Sequence, residues 1–504
     1  MPILNSIFSW FMKKRMHQIE LFMKYPIEVQ NEWFDDLIND AKNTEWGKQF
    51  DYKNIRSVDQ FKERVPVQDY DDIKDYVSRL MKGEQNLLWP TETKWFAKSS
   101  GTTSDKSKFI PVTREALEEC HYKGGKDMLS IYCSNIEDTE IFTGKTLVMG
   151  GSSQSIDPSI DSYHGDLSSI IIRNLPFWAE MRRTPELEIA LMTDFEEKLE
   201  KMAKICSNDN VTSLSGVPSW MLILLNKILA HSNKKDISEI WPNLEVFFHG
   251  GVAFTPYREQ FKSIISSSKM HYMETYNASE GFFGIEDLSQ PGELLLMLDY
   301  GIYYEFSPSE EWDKKHPKTL SLDEIELNTN YAIIISTNGG LWRYKIGDTI
   351  QFTSKYPFRV KVSGRTKHFI NAFGEEVIID NAEQALKFAC DQTDASIEEY
   401  TAAPVYLTNK KAGRHQWIIE FSGSPNSLDS FSKAFDEKLK SINTDYQAKR
   451  NGNMALEFPE FIVAPKGTFY NWMKKRNKLG GQNKVPRLSN DRKYVEEIMN
   501  LIEL

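Results

Sequence analysis

The sequence predicts an α/β protein in two parts: a large, multi-sheet amino-terminal domain over residues 1–362 and a smaller α+β domain over 363–504. Three observations predict it. From about residue 93, short apolar or β-branched runs ending in Gly- and Ser-rich turns alternate with helical stretches, the texture of an α/β domain. Composition shifts again near Phe358–Gly364. With 504 residues, 40% hydrophobic and 12% aromatic, the chain can also bury a large core.

Taken in order, residues 17–85 have apolar positions at helical spacing (Ile19, Phe22, Met23, then Val29, Trp33, Leu37) among surface charges. The first residues, MPILNSIFSWFMKKRM, place an apolar stretch before Lys13–Arg15 with no small-residue cleavage site, the wrong order for a secretory signal. They read as an amphipathic first helix folded onto the body, with weak contact to a membrane surface as the alternative. The strand candidates are Thr146–Met149 before Gly150-Gly151, Leu244–Phe248 before Gly250-Gly251, Lys269–Thr275 before Tyr276, and Tyr331–Ser336 before Gly339-Gly340. Between them lie helical stretches, among them Asp194–Ile205 and Pro218–Ala230. The apolar run Trp220–Leu225 ends at Asn226-Lys227, far too short for a membrane span, so stable membrane insertion is not expected. In the smaller domain Glu376–Cys390 and Ser427–Ile442 read as helices and Gln416–Phe421 as a strand.

Charge and cysteine usage exclude some functions. The net charge of −11, from 61 basic and 72 acidic residues, argues against a general nucleic-acid binder, which needs surplus Lys and Arg against phosphates. Cys120, Cys133, Cys206 and Cys390 form no CxxC pair, and no HExxH occurs, so neither a disulfide framework nor a zinc site is expected. Reduced thiols suggest a cytoplasmic setting.

Four segments carry chemistry. Ser99-Ser100-Gly101-Thr102-Thr103-Ser104, followed by Lys106 and Lys108, offers hydroxyl and amide donors, a turn-permitting glycine and ammonium groups, which a polyphosphate requires. It lacks the second glycine of a Walker A loop, and taken alone such a stretch is more often a solvated loop. In Tyr276-Asn277-Ala278-Ser279-Glu280-Gly281 the tyrosine can stack on a purine and Glu280 can hold a magnesium ion that bridges phosphates. The aspartate of Tyr344-Lys345-Ile346-Gly347-Asp348 can accept from ribose hydroxyls. The fourth segment, Gly364-Arg365-Thr366-Lys367, falls at the domain boundary. Each has a plainer reading: Glu280 a surface carboxylate, Asp348 a turn former, Lys367 a solvated charge.

In this order and at these separations the four segments resemble the core motifs of the adenylate-forming superfamily, which includes acyl-CoA synthetases and luciferases. Within it the chain resembles the auxin-responsive (Gretchen Hagen) acyl acid amido synthetases, known best from plants and found also in bacteria, and a bacterial member is expected. The features that carry this likeness are Ser99–Thr103 with Lys108-Phe109-Ile110-Pro111, the Tyr-x-Ala-Ser-Glu form of Tyr276–Glu280, and the tail Gly467-Thr468-Phe469 with Lys484-Val485-Pro486-Arg487. The resemblance implies a mobile small domain, ATP and Mg2+ as cofactors, and a small carboxylic acid and an amino acid or other amine as substrates. By the same likeness, Ser99, Ser100, Gly101, Thr102, Thr103, Lys108, Gly250, Gly251, Tyr276, Ser279, Asp348 and Arg365 bind ATP. Glu280 holds the metal, and Lys367, Lys484 and Glu280 are catalytic. Lys484 and Arg487 are candidates for the acceptor's carboxylate. Ser215–Trp220 borders the acyl pocket or simply starts a helix. Departures are Asp105 inside the phosphate loop, Lys367 at a hinge position often held by aspartate, and the absence of the Pro-Lys-Thr-x-x-Gly-Lys run of acyl-CoA synthetases. The alternatives weighed against an amido synthetase are a thioester-forming ligase and a non-catalytic nucleotide-binding scaffold.

Overall fold

The computed structural model describes residues 10–502 except 100–107, 152, 158–160, 253, 255–256, 288–291, 313, 367–368, 408–411, 452–454 and 477–484, with the backbone alone at 153–157, 195, 219, 365 and 380. The chain opens with helices, as its periodicity predicts: Met16–Lys24, Pro26–Ala41, Val58–Arg64 and Tyr70–Met81. Met12, Ile19, Phe22, Phe34 and Leu37 are buried in the main core, so the amphipathic reading of this region holds. One charge does not follow it. Arg15 is 6% exposed and donates to Asp127 Oδ1 and Oδ2 at 2.9 Å and to Asp299 Oδ2 at 2.7 Å. It pins the first helix to the body by a buried ion pair, where its neighbours in Lys13–Arg15 suggest surface charge.

An eleven-stranded sheet of described residues organises the rest. Its order is Ile302–Pro308, Asn330–Thr337, Tyr344–Lys355, Phe358–Arg365, Leu294–Leu296, Gly281–Glu286, His271–Ala278, Val246–Gly250, Val211–Gly216, Lys145–Val148 and Arg183–Thr184. The last five are parallel. Helices Phe195–Cys206 and Pro218–Ser232 connect strands of this parallel part, as right-handed crossovers require. Their carboxyl ends therefore lie together, at Val148, Gly216, Gly250 and Ala278, where open α/β sheets place their sites. A second sheet contains the hairpin Trp95–Ser99 and Lys108–Val112, with Ser99 opposite Lys108.

Several element ends differ from expectation. The strand expected to stop at Thr275 runs on to Ala278, so Tyr276 is a strand residue and the turn is Ser279-Glu280. Tyr344–Asp348 begins a strand instead of following one. The strand Phe358–Arg365 carries the large sheet past residue 362.

The carboxyl-terminal residues form a three-stranded sheet of Ser396–Val405, Arg414–Gly423 and Glu460–Ala464 with helices Ile379–Thr393 and Leu428–Ile442. Its apolar residues Ile370, Phe373, Tyr400, Trp417 and Phe435 share one core with Phe247, Phe254, Tyr257 and Phe261 of the large sheet's flank. Tyr257 also donates its hydroxyl to the Ala372 carbonyl at 2.5 Å. All four cysteines are free. Among the described residues, no helix is long and apolar enough to cross a membrane.

Candidate active site

Register brings the sequence motifs together at the carboxyl end of the sheet. Gly250 lies beside Thr275 in the parallel pair, and a Cβ at Gly250 would stand 2.4 Å from the Thr275 carbonyl oxygen. Gly251 takes φ +81°, the left-handed region open to glycine at no steric cost. The Gly-Gly turn thus keeps this edge free of side chains for a flat ligand. Next to Thr275, Tyr276 donates its hydroxyl to Asp348 Oδ2 at 2.8 Å. Tyr276 is 8% exposed and its ring leans on Phe283 with centroids 4.9 Å apart. It is therefore a strut under Asp348 as much as a stacking surface. Asp348 in turn pairs with Arg365 across the antiparallel strands, and Thr366 N–H donates to the Gly347 carbonyl at 2.9 Å.

A cleft of about 830 Å3 runs between this sheet edge and the carboxyl-terminal residues. Ser99 and Ser279 both line it, so the end of the strand Trp95–Ser99 and the turn that holds Glu280 border one space. Lys108 stands across from Ser99, its ammonium 6.0 Å from the Tyr70 ring centre. Ser100, Gly101, Thr102, Thr103, Lys367 and Lys484 lie outside the described residues, as does the side chain of Arg365.

Other cleft residues carry no sequence motif. Lys198 is 2% exposed; its ammonium donates to the Gly150 carbonyl, and burial lowers it to about 8. From the helix Thr444–Arg450, the Lys449 ammonium lies 4.1 Å from the centre of the Trp220 ring and makes no hydrogen bond or ion pair among the described residues. Asp445, one turn earlier on that helix, likewise has none. Burial raises the Asp445 carboxyl above its ordinary range and lowers the Lys449 ammonium below its own. The sequence offered no signal for these residues, because only the fold brings that helix against Trp220. Arg487, by contrast, is already engaged. It donates to Glu383 of the helix Ile379–Thr393, lies 3.7 Å from Glu399 and covers the Tyr400 ring. That neutralised setting makes it a poor anchor for a substrate carboxylate.

Behind the strand ends lies a second, apolar chamber of about 170 Å3, walled by Phe142, Val148, Ser215, Phe248 and Trp178 among others. Ser215 borders this chamber and Pro218 starts the following helix, as the plainer reading of Ser215–Trp220 expects. Val148 and Ser215 line the chamber, while Met149 and Val217, one and two residues further along the chain, line the cleft.

For a magnesium ion, the donor set here is one carboxylate, Glu280, on the two-residue turn beside cleft-lining Ser279. No cluster of three metal-binding side chains occurs among the described residues. That arrangement fits Mg2+, which commonly takes one or two carboxylates and completes its shell with phosphate oxygens and water.

The chain matches known proteins over nearly its whole length. Residues 15–270 match the GH3 family N-terminal domain, 295–365 the GH3 family central domain and 380–493 the GH3 family C-terminal domain. An indole-3-acetic acid-amido synthetase of Arabidopsis thaliana is 23% identical, over 94% of this chain and 91% of its own. A 4-substituted benzoates-glutamate ligase of the same plant is 22% identical, over 91% and 92%. Among solved structures, an acyl acid amido synthetase superposes with a TM-score of 0.60 at 16% identity, covering 96% of this chain and 95% of that one. A 2-hydroxyisobutyryl-CoA ligase superposes with a TM-score of 0.57 at 12% identity, covering 94% and 91%. At these identities the structural likenesses speak for the fold.

Proposed function

The chain belongs to the GH3 family, and from that membership we propose that it is an acid–amino acid ligase. It activates a small carboxylic acid with ATP as an acyl-adenylate and transfers the acyl group to the amine of an amino acid. The observation that carries this reading is the shared cleft of Ser99 and Ser279, with the Gly250-Gly251 turn and the Tyr276–Asp348 pair at the same sheet edge.

In the first half-reaction the substrate carboxylate attacks the α-phosphorus and pyrophosphate leaves. Two anions must approach in line, so the site has to hold geometry and offset charge. The hydroxyls and amides of Ser99–Thr103 with Lys108 suit the phosphates, the open Gly-Gly turn suits adenine, and Asp348 suits the ribose. Lys367 and Arg365 stand at the hinge of the unit 363–504, which we take as the part that rotates between the half-reactions. Mg2+ held by Glu280 would offset phosphate charge when bound.

In the second half-reaction an amine attacks the mixed anhydride and AMP leaves. The acceptor has to lose a proton and be kept in register while water is excluded. Charges of both signs on the cleft wall, Asp445 and Lys449, suit an amino acid, whose ammonium and carboxylate need opposite partners. This supports an amine acceptor over a thiol. Lys484 of the same unit is assigned to this step, and a cytoplasmic setting fits the reduced thiols.

The test is pyrophosphate exchange into ATP over a panel of carboxylic acids, followed by product analysis with amino acids or CoA. Acid-dependent exchange with amide product supports the proposal; thioester product with no amide overturns the acceptor assignment.

A further inference from the structure

The apolar chamber behind the strand ends holds more positive charge than an apolar substrate would need. Two cations on its wall have no acidic partner. Arg182 donates from Nη2 to the Ile141 carbonyl at 3.1 Å and lies 5.7 Å from the centre of the Phe142 ring. The guanidinium makes no other hydrogen bond or ion pair among the described residues. Burial lowers its guanidinium from its ordinary range, the mark of a cation that nothing compensates. Lys126, which lines the chamber from the helix Tyr122–Asn135, lies 5.2 Å from the centre of the Phe11 ring and makes no ion pair among the described residues. Neighbouring Arg183 shows the contrast, since Glu180 neutralises it. No Asp or Glu stands among the described residues that line the chamber. His121, 5% exposed on the same wall, has no partner for its Nδ1, and burial lowers it to about 4, so the ring is neutral.

Strand register fixes which end of the chamber this charge occupies. Thr146 pairs with Arg183 in the parallel edge strands, which puts Arg182 level with Lys145. Val148, three residues further on, leads into Gly150-Gly151 on the cleft wall. At about 3.3 Å per residue, Arg182 is roughly 10 Å from the cleft end. The guanidinium itself bonds the Ile141 carbonyl and lies against Phe142, both before that strand begins at Lys145, so it stands toward the end of the chamber away from the cleft.

We propose that Arg182 reads a second anionic group, so that the acid activated here is two-headed: one carboxylate at the cleft and another, or an equivalent anion, at the far end of an apolar spacer. Phe142, Trp178 and Phe248 suit the spacer, and Lys126 adds positive potential along it. The inference rests on the proposed function in one respect, that the chamber holds the acid to be activated. Burying the far anion against an otherwise uncompensated guanidinium forms a charge-assisted pair, which an acid ending in a methyl group cannot make.

The experiment compares acids of one skeleton with and without the far carboxylate: octanedioate against octanoate, and 3-(4-carboxyphenyl)propanoate against 3-phenylpropanoate. Pyrophosphate exchange gives kcat/KM for each, and calorimetry gives binding without turnover. Expected is a preference of at least about 10-fold for the two-headed acid in the unmodified protein. Arg182→Met should abolish the preference by weakening only the two-headed acids. Arg182→Lys should keep part of it, which shows that loss in the methionine variant is not misfolding. No preference in the unmodified protein, or equal loss for both members of each pair in Arg182→Met, overturns the proposal. Preferential, Arg182-dependent binding without exchange for any acid would support the inference while refuting adenylation.

Discussion

The Tyr276 hydroxyl donates to Asp348 Oδ2 at 2.8 Å, joining two motifs 72 residues apart by one buried hydrogen bond. Asp348 is 8% exposed, so its carboxylate orientation depends on the tyrosine as well as on any ligand. Tyr276→Phe should therefore raise the KM for ATP several-fold with little change for the acid. It should also cost about 1 to 3 kcal/mol of stability, because a buried acceptor loses its donor. Asp348→Ala should act in the same direction on ATP. Chemical denaturation and exchange kinetics check both, and an effect confined to the acid's KM would move Asp348 away from the ribose.

Glu280→Gln retains shape and removes one anionic ligand at the Ser279-Glu280 turn. Magnesium-dependent exchange should fall by about 100-fold or more, the scale of losing one electrostatic group at a phosphoryl site. Its melting temperature should match the parent's. Undiminished exchange in a folded variant would sink the metal assignment.

Lys367→Ala should slow pyrophosphate exchange, whereas Lys484→Ala should leave exchange largely intact while amide formation falls and acyl-adenylate accumulates. The motivation is the proposed rotation of residues 363–504, in which Lys367 lies beside the hinge and Lys484 near the carboxyl end of the sequence. Exchange and product formation, measured side by side on both variants, decide it. Equal loss of exchange in the two would point to a static site.

Arg15 behaves as a buried anchor. Removing it leaves the fully buried Asp127 without its counter-ion, whereas Asp299 keeps Lys123 at 3.3 Å. Arg15→Met should cost about 3 kcal/mol or more, against less than about 1 for an exposed pair. An unchanged denaturation midpoint would contradict the buried arrangement.

Glu274 gives a pH dependence of defined sign. Burial, reinforced by nearby Glu286, raises its carboxyl to about 7 from an ordinary 4.5. The folded chain then binds this proton more tightly than the unfolded chain does. The stability it contributes is complete below pH 4.5 and is lost as pH rises toward 7 and beyond. Glu274→Gln should remove that loss, stabilising the protein at pH 8 by up to about 3 kcal/mol and by little at pH 4. Denaturant melts at the two pH values check it, and a gain independent of pH would reject the shift.

The sequence by itself determined the fold class, several of the strands and helices, and the four motif segments in their order. Those depend on local properties: apolar periodicity, turn chemistry and residue types within a few positions of each other. Thus Lys145–Val148 and Pro218–Ser232 lie within a residue or two of where spacing put them. What the sequence did not hold was anything set by distant partners. Arg15 reads as surface charge until Asp127 folds against it, and Arg487 reads as a ligand for substrate until Glu383 and Glu399 neutralise it. Tyr276 reads as a stacking ring until register brings Asp348 to its hydroxyl. Lys449 beside Trp220 and Arg182 beside Phe142 belong to no motif. Whether a charge is spent or available depends on desolvation and on counter-ions far off in the chain, and only the tertiary structure decides those.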